Sequence, residues 1–274
     1  MTALDTLIDQ VEGLPSAPQI LPKLLTALDE PDSDVSRITD LISFDPGLTA
    51  KVLKVCNSAA FSGGGAVTDI GEAVCRVGLR EIYRLTASVA GRGAMQPSKP
   101  TPGFDTDALW KHCVTAALAA QLMAQDRGDD TSSVFTATLL HDAGKVILVS
   151  AHRERYTALL QQESQSAQSL VEQEESLAGV NHAQAGARLL EKWNFPVIMV
   201  NAVKHYASPA QAGDSMRMAA YIHLGDALAR QLQSPESAPA PEALEVLGQT
   251  NEDFANYRDR TLENFEFVNA LCRL

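Results

Sequence analysis

Six histidines stand in the 274-residue chain: His112, His141, His152, His182, His205 and His223. The densest chemistry is in HDAGK, residues 141–145, where an imidazole, a carboxylate and an ammonium lie together. Gly144 bends the chain at what reads as a helix end. Neighbours on a regular helix point about 100° apart, so His141 and Asp142 reach one ion only at a distorted terminus. Imidazole with carboxylate suits Mn, Fe, Co, Ni or Zn better than Ca, which prefers oxygen alone. A His-Asp dipeptide alone carries little information, and the wider spacing carries more. His112 lies mid-helix, 29 residues before His141, and His182 follows Asp142 by 40. His205 comes 23 further on, and Asp226 another 21, inside the apolar MRMAAYIHLGDALARQL. An aspartate in such a helix is costly unless paired or metal-bound. The same side chains also read as a buried polar network, with Asp142 and Asp226 accepting hydrogen bonds from His112, His141 or His182.

Helices must position these groups. Apolar residues recur at helical spacing through Leu7, Val11 and Leu14, then Ile20, Leu24, Leu25 and Leu28. Asp34 predicts an N-cap for a helix carrying Val35, Ile38, Leu41 and Ile42, and Asp45-Pro46 starts the next. Short helices follow near 69–77 and 79–90, hinged at Gly78, after a Ser62–Gly65 loop. Residues 91–104, GRGAMQPSKPTPGF, form the best internal boundary, dividing the chain into 1–95 and 104–274. Beyond it helices are predicted at about 107–125 and 132–140. An apolar helix around Val146, Ile147 and Val149 and a polar one at 154–162 come next. Others are expected at 167–177, 183–193, 197–205, 216–232, 242–247 and 253–271, with a loop at 233–241. No run alternates at the strand period, apart from local ambiguity at 146–149, so the class is all-α.

Composition bounds the function. The chain is 45% hydrophobic with a formal net charge of −12, enough apolar content for a real core. The charge is −3 over the first hundred residues and −9 over the rest. Such acidity repels phosphate backbones, which disfavours nucleic-acid polymers and anionic membranes as partners. Nothing approaches eighteen consecutive apolar residues, and the N-terminus lacks a signal-peptide pattern, so a cytoplasmic protein without a membrane span is expected. Cys56, Cys75, Cys113 and Cys272 are scattered and read as reduced, buried small hydrophobes.

The order His112, His141-Asp142, Asp226 resembles the HD superfamily of metal-dependent phosphohydrolases. His182 and His205 resemble the extra ligands of its two-metal branches, including HD-GYP cyclic-dinucleotide phosphodiesterases. Lys145 resembles the lysine that those relatives aim at the substrate phosphate. Two departures stand out: the paired His-His of that branch reads His205-Tyr206, and the Gly-Tyr-Pro signature is missing. The resemblance is closer to the HDOD (HD-related output domain) branch. It is carried by Leu14-Pro15-Ser16-Ala17-Pro18, Asp45-Pro46-Gly47-Leu48-Thr49 and Asn57-Ser58-Ala59-Ala60-Phe61. AVCRVG at 73–78 and HAQAGARLLEKWNFP at 182–196 add to it.

The resemblance implies an N-terminal helical bundle packed on an HD-like helical bundle, with the C-terminal helices following. It implies one or two divalent transition-metal ions (Fe, Mn, Ni, Co or Zn) held by His112, His141, Asp142, His182, His205 and Asp226. HDOD domains are regarded as signalling modules, many without metal ligands. The leading expectation is therefore a non-catalytic or weakly catalytic regulatory module acting through signalling protein partners. The alternative is a metal-dependent phosphohydrolase acting on a nucleotide or cyclic dinucleotide, with Lys145 and Asp142 as its catalytic residues.

Other features read more simply. His152 in AHRER is expected at the surface. His223, three residues before Asp226, reads as helix-interface packing or a support for the ligands. Trp110 and Trp193 read as core. Arg76, Arg80 and Arg84 form a helical stripe, most simply a solvated face. Gly63–Gly65 lacks a following Gly-Lys-Ser/Thr and makes no phosphate loop.

Overall fold

The computed structural model describes Leu7 and residues 18–30, 35–58, 61, 66–162, 169–234 and 238–272, the side chains of 162, 266 and 267 excepted. The apolar positions Val11 and Leu14, Leu14–Ala17 of the first motif, the Asp34 cap, Ala59-Ala60 and the Ser62–Gly65 loop lie outside the described residues, as do 235–237 of the loop at 233–241. Every regular element among the described residues is helical, as predicted.

Five helices form the N-terminal part: α1 (Ile20–Asp29), α2 (Val35–Ser43), α3 (Pro46–Cys56), α4 (Ile70–Val77) and α5 (Leu79–Arg92). Asp45 caps α3 by accepting the Gly47 and Leu48 N–H groups at 2.9 and 3.0 Å, and Pro46 occupies the first turn, where its missing N–H costs nothing. Gly78 separates α4 from α5 at φ 88°.

The site is carried by α6 (Thr106–Asp126), α7 (Thr131–Leu140), α8 (Ala143–Gln162), α9 (Leu170–Ala178), α10 (His182–Lys192), α11 (Val197–His205) and α12 (Met216–Gln233). Last come α13 (Pro241–Leu247), α14 (Asn251–Glu263) and α15 (Phe265–Cys272). The apolar and polar helical pieces predicted around 146–162 meet in α8, whose backbone leaves helical geometry between them, at His152 and Arg153. One predicted element is corrected. The long C-terminal helix is two, because the Asn264 side chain donates to the Arg260 carbonyl at 2.9 Å and ends α14.

The helix α6 is the spine, packing most extensively on α12 and α7. Small residues set the approach. A Cβ on Gly225 of α12 would lie 2.5 Å from the Ala116 carbonyl oxygen of α6. A Cβ on Gly144, at the start of α8, would lie 1.9 Å from the His182 carbonyl oxygen. One core runs from Leu21 and Leu24 through Tyr83, Trp110 and Trp193 to Leu271. A second cluster, with Met123, Leu228, Leu247, Phe254 and Tyr257, lies under α13 and α14. The stretch Thr131–Gln161 has the length and hydropathy of a membrane span, but 83% of its apolar window is buried within the fold. Two surface expectations change as well. Cys75 is exposed, on the outer face of α4, and His152 is half-buried at the α8 kink.

Candidate metal centre

His141 and Asp142 sit between α7 and α8, where the helical ladder tightens. The His141 N–H reaches the Thr138 carbonyl at 3.4 Å, and the Lys145 N–H reaches the Asp142 carbonyl at 3.0 Å. These i→i+3 bonds are the distortion that turns two adjacent side chains toward one point. His112 enters from α6 and Asp226 from α12.

The donor atoms converge. His112 Nε2 is 3.0 Å from Asp226 Oδ1 and 3.7 Å from Asp142 Oδ2. His141 Nε2 is 3.7 Å from Asp226 Oδ1 and 3.6 Å from Asp142 Oδ2. The ligand atoms of His112, His141 and Asp226 all lie within 4.8 Å of one another. Two ligands bound at about 2.0–2.2 Å to one ion are about 3–3.5 Å apart, so these separations match a shared ion.

The protonation states fit too. His141 Nδ1 donates to the Thr138 carbonyl at 2.6 Å, which leaves the Nε2 lone pair facing the cluster. That Nε2 is buried and has no hydrogen-bond partner, and neither has Asp142 Oδ1. Burying two polar atoms unsatisfied costs about 1–3 kcal/mol each. Burial opposes ionisation of Asp142, but His141, Lys145, His182 and His112 outweigh it and hold the carboxyl well below its ordinary range. Asp226 is likewise held down against burial by His112, His141 and Arg230, the last at 2.7 Å from Oδ2. Burial disfavours an imidazolium at His141, yet Asp142 and Asp226 raise its pKa. Lys145 Nζ is 2.8 Å from Asp142 Oδ2, and despite burial that carboxylate pushes its pKa up. Cys113, close to Asp142, stays a thiol because burial and that charge raise its pKa.

His182 enters from the first turn of α10, with Nε2 3.6 Å from Asp142 Oδ1. Its ring is held at both ends. Nδ1 donates to Glu174 Oε2 at 2.5 Å, and the Tyr206 hydroxyl donates to Nε2 at 2.6 Å. Glu174 is fully buried and also accepts the His182 N–H and the Tyr156 hydroxyl. His205, also expected as a ligand, is half-buried at the end of α11, where burial and Lys204 lower its pKa. The next residue, Tyr206, packs edge-on against His141, ring centroids 5.1 Å apart.

Glu174, Tyr206, Tyr156 and Arg230 are the members that sequence reasoning missed. Glu174 stands in VEQEESLA, which reads as a solvated face, and no local signal marks it. His223 supports the site without entering it. Its Nδ1 donates to the Tyr206 carbonyl and its Nε2 accepts the Ala240 N–H, both at 3.1 Å. In the arginine stripe, Arg76 pairs with Glu72 and Arg84 with Glu81.

A model of the HDOD domain matches residues 14–209. The chain belongs to the HDOD family. Solved structures share this HDOD fold. A Shewanella amazonensis SB2B protein, provisionally described as a phosphohydrolase, superposes with a TM-score of 0.76 at 22% identity, covering 99% of this chain and 97% of that one. A Geobacter sulfurreducens HDOD domain protein of unknown function gives 0.73 at 19%, covering 94% and 96%. A Marinobacter aquaeolei VT8 protein, provisionally described as a signal transduction protein, gives 0.80 at 21%, covering 98% and 64%. An uncharacterized protein of Treponema pallidum (strain Nichols) is 29% identical over 203 residues, 73% of this chain. The chain spans 39% of that relative's length.

Proposed function

We propose that this HDOD chain is a cytoplasmic regulatory module whose centre binds a divalent transition metal and which acts through signalling protein partners. The observation that carries the reading is the pair of buried atoms without partners, His141 Nε2 and Asp142 Oδ1. They lie among donors at ligand-to-ligand distances. His112, His141, Asp142 and Asp226 would hold an ion of the Fe, Mn, Co, Ni or Zn class, which as a Lewis acid polarises a bound phosphoryl or water oxygen. Burial favours a regulatory role over turnover. The His141 and Asp142 side chains are fully buried, and exposure elsewhere in the cluster is small, 11% at His112, 17% at Lys145 and 8% at Asp226. Hydrolysis needs an open position for water and substrate.

The second reading is a phosphohydrolase of nucleotides or cyclic dinucleotides. Its support is Lys145, whose ammonium lies against Asp142 at the accessible edge, placed to neutralise a phosphate. Elemental analysis of the purified chain, then a phosphodiesterase panel with Mn, Fe, Co, Ni and Zn, tests both. Bound metal without hydrolysis is the expected result. Robust metal-dependent turnover replaces the regulatory reading with the second, and a chain that takes up no metal removes both.

A further inference from the structure

The second half of the donor set is built but closed. His182 carries what a metal-ligating histidine carries, a buried carboxylate on Nδ1 that fixes its tautomer and points its Nε2 lone pair inward. Nε2 lies 3.6 Å from Asp142 Oδ1, which has no partner of its own. These two atoms are spaced to share an ion beside the one that His112, His141, Asp142 Oδ2 and Asp226 would hold. The Tyr206 hydroxyl takes the lone pair instead, at 2.6 Å. It is not loosely placed. Its ring stands edge-on to His141, and its backbone carbonyl is held by His223, which is tied in turn to Ala240. A phenol held from both ends does not swing aside without breaking these contacts.

We infer that Tyr206 is a stopper that limits this centre to a single ion by sealing the position between His182 and Asp142. The inference rests on the metal reading above. It names Tyr206 as the residue that sets metal stoichiometry, and through it the chemistry open to the centre. A two-ion site can clamp both the attacking and the leaving oxygen of a phosphoester, and a one-ion site cannot.

The test counts ions in the full chain after chelation, reloading with excess Mn(II) and desalting, and records the Mn EPR spectrum. The wild-type chain should hold one ion per chain with an uncoupled six-line signal. Tyr206→His withdraws the hydroxyl and supplies a third donor beside His182 and Asp142. It should hold two ions, with a spectrum broadened by spin coupling. Tyr206→Phe keeps the ring against His141 and frees His182 Nε2, so it should hold a second ion in the same count even if the histidine variant does not fold. A wild-type chain with two coupled ions overturns the inference. So does a wild-type chain with one ion whose folded Tyr206 variants both stay at one, and in that case the metal reading stands. No ion in the wild-type chain removes the metal reading and the inference with it.

Discussion

His141 is hydrogen-bonded on one side only. Its Nδ1 is committed to the Thr138 carbonyl, and its Nε2 lone pair is the atom an ion or a proton must take. The two compete for it. Asp142 and Asp226 overcome burial and raise the pKa above the ordinary imidazole value near 6.5. The proton is therefore held to higher pH than on a free imidazole, and metal binding must displace it. The sign follows: affinity should be flat above the raised pKa and fall by up to about tenfold per pH unit below it. Titration calorimetry with Mn or Zn between about pH 6 and 8.5 checks this, and a pH-independent affinity would contradict it. Much of this chemistry is legible in the sequence, because His112, His141-Asp142 and Asp226 keep their order and one of them interrupts an apolar helix. Glu174 and Tyr206 are not legible. A buried glutamate in a run of acids looks like every solvated one, and Tyr206 is recruited by the way α11 ends, not by any motif.

At the scale of elements, the site exists because two pairs of backbones touch. A methyl group on Gly144 or Gly225 meets carbonyl oxygens at 1.9 and 2.5 Å, and neither oxygen is the end of a flexible side chain. Gly144→Ala should push α8 off α10, and Gly225→Ala should push α12 off α6. Overpacking of this kind costs about 1–3 kcal/mol or more, and Gly144→Ala should lie at the top of that range. Gly91→Ala meets only leucine side chains, Leu139 at 3.1 Å and Leu140 at 3.6 Å, and should cost less. Urea unfolding ranks the three, and a Gly144→Ala no worse than Gly91→Ala would contradict the packing argument. His223 joins two further elements as a neutral ring, donating to Tyr206 and accepting from Ala240. Burial first, and Arg230 after it, lower its pKa despite Asp226. The unfolded chain then takes up the proton near pH 6.5 and the folded chain only at lower pH. The stability tied to the neutral ring is complete above about 6.5 and declines as the pH falls below it. Comparing unfolding at pH 7.5 and 5.5, His223→Gln should shrink the loss, by at most about 1 kcal/mol. Most helices were readable from apolar spacing, and α11 to the residue. The break between the apolar and polar pieces of α8 was readable as well, but the stop at Asn264 was not, since it depends on local hydrogen bonding that hydrophobic period does not encode.

At the scale of the molecule, the glycine- and proline-rich stretch at 91–104 divides the sequence without dividing the core. Residues of α1 to α5 and of α6 to α12 belong to one buried cluster, and α5 packs on α7. A buried polar contact marks the join: the Tyr83 hydroxyl meets Thr136 Oγ1 at 2.6 Å, both residues essentially inaccessible to water. Burial pushes the Tyr83 pKa upward despite the bond to Thr136, so the phenol stays neutral at working pH. Tyr83→Phe keeps the ring and strands the threonine hydroxyl, which should cost about 1–3 kcal/mol. Because the contact bridges the two parts within a shared core, the loss should appear as an earlier midpoint of one transition, not as the early melting of one part. Both tryptophans, Trp110 and Trp193, report on that core from the second part, while far-UV circular dichroism reports on all the helices. Coincident fluorescence and dichroism curves in urea, for the wild-type chain and for Tyr83→Phe alike, are the expected outcome. Curves that separate, with helical signal lost before the tryptophans respond, would show that the N-terminal helices unfold on their own and that the ligand-bearing helices do not need them.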